Sequence, residues 1–150
     1  MKTLWDNEAR KELKQRLGRL QYDAPARWGK MNAPRMVAHL CNSMKMASGE
    51  LPVKSKNLPI RFSPLKELII YVLPFPKGAP TAPELMTHET DDTGDWAEGL
   101  SELRRRIDDV AARDPKGKWP EHPAFGKLSH KTWGVLGYRH IDHHFKQFGV

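Results

Sequence analysis

Three of the seven histidines in this chain, His140, His143 and His144, fall within five residues near its C-terminus, in "GYRHIDHHFKQFGV". Neutral imidazole binds divalent transition metals through one ring nitrogen, so metal binding is the first chemistry such a cluster raises. An α-helix advances about 100° per residue, which sets His140 and His144 about 40° apart on one face and one turn apart along the axis. Trp133, Gly137, Phe148 and Ile141 fall within about 100° of His140 on the same side, so His144 points inward and His140 stands at the edge of the apolar arc. His143 falls about 60° the other way, with Arg139 and Gln147, which makes it the poorer ligand and a candidate pocket residue.

Two imidazoles leave zinc, or a similar divalent metal, short of the three or four protein ligands it usually takes. His39 is the strongest candidate for the third ligand. Met36, Leu40 and Ser43 place it on the flank of an apolar helix face, from which it can reach the interior. His88, His122 and His130 fall in loops or at a helix start and need only be solvated. A site built on His39, His140 and His144 with a fourth position open would act as a Lewis acid or lower the pKa of bound water or thiol. Asn42, Ser43, Met46, His143 and Gln147 are candidates to line its mouth, with the proline-rich loops 52–63 and 74–94 as lids or walls.

No catalytic acid, base or nucleophile is marked. The cluster lacks the H-E-x-x-H of zinc proteases, and Asp142 falls about 200° around the helix from His140, facing away. There is no G-x-S-x-G elbow, no phosphate-binding glycine loop and no Cys-x-x-Cys. Cys41, in the apolar part of its helix, reads as a small buried residue rather than a nucleophile.

The elements that must position these histidines are helices. Asp6 or Asn7 could cap a first helix running to about Gln21, with Leu13, Leu17 and Leu20 as its apolar stripe. Asn32 could cap a second, with Pro34 tolerated in the first turn and an end near Gly49 or Pro52. Seven of the twelve prolines lie between Pro52 and Pro83, which rules out a long continuous helix there. Within that stretch only "SPLKELIIYVL", with Ser63 as cap, reads as a short, very apolar, buried helix. The following "PFPKGAPTAPELMTHETDDTG" is a long loop of the kind that is commonly functional. Asp95 could cap the next helix, in which Trp96, Leu100, Leu103, Ile107, Val110 and Ala111 form an amphipathic pattern. Ser129 could cap the last, running towards Phe148. The expected fold is all-α: a four-helix bundle with a short additional helix and long proline-rich loops, in a single domain over residues 1–150.

The net charge of +7 would suit nucleic acid if it were clustered, but Lys and Arg alternate with acids, and Arg104-Arg105-Arg106 is followed at once by Asp108 and Asp109. Nucleic acid is therefore not an expected partner. A single cysteine excludes an internal disulfide and fits a reducing compartment. With no signal-like apolar region and no window of membrane-spanning length, a cytoplasmic protein with no membrane partner is the default.

The segments "RWGKMNAPRMVAHL" and "HPAFGKLSHKTWGVLGYRHIDHHFKQFGV" resemble the DinB/YfiT-like metalloenzyme superfamily, and one sub-family in particular. The similarity runs from about Trp28 to the end. Its most specific piece is the H-x-x-x-H with a glutamine three residues on: His140, His144 and Gln147. The resemblance implies a four-helix bundle, frequently dimeric, with zinc or nickel held by one histidine of the second helix and two of the last, which transfers to His39, His140 and His144. Some relatives are S-transferases using a low-molecular-weight thiol, with the metal holding the thiolate. The function this implies is a metal-dependent thiol S-transferase or hydrolase of small molecules. The alternative is a non-catalytic bundle that binds a partner or dimerises, with its metal structural or absent.

Overall fold

The computed structural model describes residues 1–78, 81–87 and 93–150, so His88 lies outside the described residues. Five α-helices follow one another: α1 (Asn7–Leu17), α2 (Ala33–Ser48), α3 (Leu65–Glu67), α4 (Trp96–Ala111) and α5 (His130–Gln147). A π-helical turn (Leu68–Val72) continues α3, and two 3-10 turns (Pro59–Arg61 and Pro83–Leu85) punctuate the proline-rich region. No strand occurs among the described residues; His122 and Gly126 form one isolated bridge.

Capping chemistry sets three helix starts. The Asn32 side chain accepts from the Arg35 N–H, Asp95 from Glu98 N–H and Ser129 from Thr132 N–H, each supplying an acceptor that the first helical turn lacks. At α1 the expectation differs from the outcome. Asp6 occupies the cap position, but its carboxylate accepts from Thr3 N–H and makes no cap bond. α1 also ends at Leu17 rather than near Gln21, because Gly18 follows and the chain tightens into i to i+3 bonds, Arg19 N–H to the Arg16 carbonyl and Leu20 N–H to that of Leu17. Leu20 is buried all the same, so the apolar stripe outlasts the helix.

α2 packs most extensively on α4, while α1 lies against α4 and α5, and α5 also touches α2. Leu13 and Leu17 of α1, Met36 and Leu40 of α2, Leu103 and Ile107 of α4, and Ile141 and Phe145 of α5 are all fully buried in one core. A smaller cluster of Ile70, Phe125, Val135 and Leu136 lies beneath the π-helical turn.

The segment "SPLKELIIYVL" departs from its reading as a buried, Ser-capped helix. The Ser63 hydroxyl donates to the Glu67 carboxylate rather than capping the backbone, and of the apolar residues in the segment only Ile70 is fully buried. The cluster beneath it is too small to cover both sides of so apolar a stretch.

The N-terminal strap anchors α5. Leu4 N–H donates to the Gly134 carbonyl, and Trp5 stacks on His130 at 4.1 Å while its indole N–H donates to the His130 carbonyl. This crossing needs Gly134, because a Cβ there would stand 2.2 Å from the Trp5 indole nitrogen. His130 is thus packed between Trp5 and Trp119 rather than merely solvated.

Candidate metal centre

α5 carries His140 and His144 on the border of its buried face, with Ile141 and Phe145 beside them in the core. α2 carries His39 between Met36 and Leu40, and all three of these residues are buried. Packing of α2 on α5 brings the rings of His39, His140 and His144 into a nearly equilateral triangle with centroid separations of 5.2, 4.9 and 4.9 Å. His140 Nε2 lies 3.2 Å from His39 Nε2 and 3.2 Å from His144 Nε2, and one nitrogen from each ring lies within 4.8 Å of the others. Two imidazoles on one tetrahedral zinc, at Zn–N distances of about 2.0–2.1 Å, hold their nitrogens about 3.3 Å apart, close to these two edges.

The outer ring nitrogens determine what the inner ones offer. His39 Nδ1 lies 2.8 Å from the Leu85 carbonyl, which can only accept, so Nδ1 carries the hydrogen and Nε2 presents a lone pair. The same holds for His144 by one further link. The Gln147 side-chain nitrogen donates to the Trp28 carbonyl at 2.7 Å, which turns its oxygen towards His144 Nδ1 at 2.9 Å. That oxygen accepts, so His144 also presents its lone pair at Nε2. A hydrogen on His140 Nε2 could serve only one of these two lone pairs, whereas a shared cation serves all three nitrogens. The donor set therefore fits a divalent metal, and these outer-nitrogen bonds are of the kind that orient metal-bound histidines.

Electrostatics acts in the same direction. Burial lowers the pKa of His39 against the opposing bond to Leu85, and burial together with the neighbouring imidazoles holds His140 well below the ordinary histidine range. Burial, then His39, lowers His144 to about 3. All three rings are neutral at physiological pH, the form that ligates.

The other candidate residues are distributed around this centre. His143 stands beside the triangle rather than in it, its ring 5.4 Å from that of His144 and 5.6 and 6.1 Å from those of Trp28 and Phe75. The Ser43 hydroxyl donates to the His39 main-chain carbonyl at 2.9 Å, Met46 lies in the main core, and Asn42 is half-buried on α2. Of the loops expected as walls, 74–94 supplies the Leu85 carbonyl and Phe75, while 52–63 packs towards Pro123 through the Lys56 N–H. Asp142 accepts from Arg16 and Lys146, each at 2.7 Å; burial opposes its ionisation, but these two bonds prevail and lower its pKa. Cys41 is buried, and burial followed by the charge of Glu102 raises its thiol to about 11.

Three contributors escape sequence reasoning. The carbonyls of Leu85 and Trp28 are backbone atoms with no residue signature. His122, expected to be merely solvated, packs on Trp133 and Phe125 and is close enough to His140 to depress its pKa. Its Nδ1 accepts from both Ala124 and Phe125 N–H, so it holds the 122–126 turn, and burial lowers its pKa to about 4. The signal was the tight "HPAFG" sequence, whose glycine takes φ +67°.

Fold and site together define an all-α protein with a three-histidine group able to hold a metal ion. The chain belongs to the family described as "Protein of unknown function (DUF1569)", which it matches over residues 5–149, a span that includes all three histidines and Gln147. No curated protein and no solved structure matches it.

Proposed function

We propose that the protein is a divalent-metal-dependent enzyme of the DinB/YfiT-like kind, a four-helix bundle in which His39, His140 and His144 hold zinc or nickel. The observation that carries this reading is the convergence of three Nε2 atoms, two with tautomers fixed by Leu85 and Gln147. Bound metal would supply Lewis acidity that favours the thiolate or hydroxide form of a ligand in the open position. The chain's own residues keep the imidazoles neutral by burial and orient them through the Leu85 and Trp28 carbonyls. Cys41 is too deeply protonated to serve as the nucleophile, and Asp142 is engaged by two cations, so the reacting thiol or water belongs to the substrate side. S-transfer with a low-molecular-weight thiol and hydrolysis of a small molecule are the two reactions this arrangement suits.

Elemental analysis of untagged protein tests the reading. Stoichiometric zinc or nickel in wild type that disappears in His144→Ala is expected, and absence of metal from both proteins would sink it. A thiol-conjugation screen run beside hydrolysis substrates then separates the two reactions.

A further inference from the structure

The segment from Phe62 to Leu73 is apolar on two sides, and only one of them is covered. Ile70 packs on Phe125, Val135 and Leu136, but Leu65, Leu68 and Val72, recurring at i, i+3 and i+7, are 39%, 43% and 68% exposed. Phe62 at 62% and Leu73 at 42% extend the same apolar surface. Basic residues are in excess around it: residues 54–77 contain Lys54, Lys56, Arg61, Lys66 and Lys77 against Glu67, with Glu84 close to Lys54 and Lys56 and Glu121 on Arg61. Arg61 pairs with Glu121, and the Lys66 ammonium donates to the Lys127 carbonyl. Lys54 and Lys77 are exposed at either end.

From this surface we infer that residues 62–73 dock on an anionic lipid surface, with Phe62, Leu65, Leu68, Val72 and Leu73 entering the headgroup region and the lysines meeting the lipid charge. A helical segment with an exposed apolar face and a basic border is the form that lies in a membrane interface rather than crossing it. The absence of any described helix long and apolar enough to span a bilayer is consistent with this arrangement, because interfacial docking requires no span. A second copy of the chain fits less well. A two-fold contact would bring the same basic borders together, and like charges juxtaposed across an interface oppose association. Lipid supplies the opposite charge at no such cost, and each lysine near an anionic surface strengthens binding about fivefold. This inference does not depend on the metal centre.

Co-sedimentation with phosphatidylcholine vesicles, with and without phosphatidylserine, tests it. The expected result is pelleting with the anionic vesicles alone and release by added salt. Leu68→Glu combined with Val72→Glu should weaken binding at least tenfold, and Lys54→Gln or Lys77→Gln about fivefold each. These side chains are exposed, so far-ultraviolet circular dichroism should be unchanged. Equal binding to both vesicle types, or a Leu68→Glu/Val72→Glu protein that pellets like wild type, would overturn the inference. So would a wild-type dimer that this double variant converts to monomer while neither protein binds vesicles, since the face would then belong to a second copy.

Discussion

Gln147 fixes the tautomer of His144. Its amide nitrogen donates to the Trp28 carbonyl and its oxygen faces His144 Nδ1 at 2.9 Å, so a residue one turn beyond His144 decides which of its ring nitrogens is free. Replacing Gln147 by Leu removes both bonds, lets the imidazole rotate and frees it to take the other tautomer. Zinc affinity, measured by competition with a chromogenic chelator, should fall about 10- to 100-fold while His39 and His140 remain in place. An unchanged affinity would show that the Gln147 bond has no part in metal binding.

The same link can be disturbed from its far end. Gly29 has φ +79°, and a Cβ there would stand 2.9 Å from the Gln147 side-chain nitrogen. Gly29→Ala should therefore weaken zinc binding although residue 29 touches no ligand. It should also cost on the order of 1–2 kcal/mol in urea denaturation, because alanine is forced into a left-handed conformation. If stability drops and zinc affinity does not, the backbone strain is real but Gln147 accommodates the methyl group.

The contrast between His144 and His122 shows what the sequence made legible. Helical periodicity separates His144 from His143 by angle, and the cap residues Asn32, Asp95 and Ser129 mark helix starts because their side chains satisfy backbone groups a few residues away. These are local relationships, and the chain displays them in order. The carbonyls of Leu85 and Trp28 reach their partners across 46 and 119 residues, and every residue type has a carbonyl, so no pattern points to them. The exposed face of Leu65, Leu68 and Val72 was hidden for a different reason. Apolar composition reports that a surface favours leaving water, but not whether this chain has enough core to cover it.

A metal held by His39, His140 and His144 should also stabilise the fold, because these residues come from two helices that are separate in sequence. Free zinc at about 100 times its dissociation constant contributes roughly 2.7 kcal/mol, or about 5–10 °C in melting temperature for a domain of this size. Chelation of purified protein should lower Tm by this amount, and zinc should restore it. In His39→Ala and His140→Ala the zinc-dependent rise should vanish, whatever the starting Tm of each variant. A rise of undiminished size in either variant would place the stabilising zinc elsewhere.

His122 predicts an acid-sensitive turn. Its Nδ1 accepts from two backbone N–H groups, Ala124 and Phe125, so protonation there would remove the acceptor, and burial already lowers its pKa to about 4. The folded pKa lies below the unfolded value of about 6.5, so the unfolded chain takes up the proton first as pH falls. Stability from this group is fully present above pH 6.5 and declines as pH drops towards 4, by up to about 3 kcal/mol in total. The histidines of the metal centre titrate in the same direction, so wild type must be compared with His122→Asn, whose side-chain oxygen can accept the same two bonds without titrating. Urea denaturation of metal-free protein between pH 7 and 4 should show wild type losing stability more steeply than the variant, by close to one proton. Parallel curves would mean that the 122–126 turn keeps its bonds when His122 is charged.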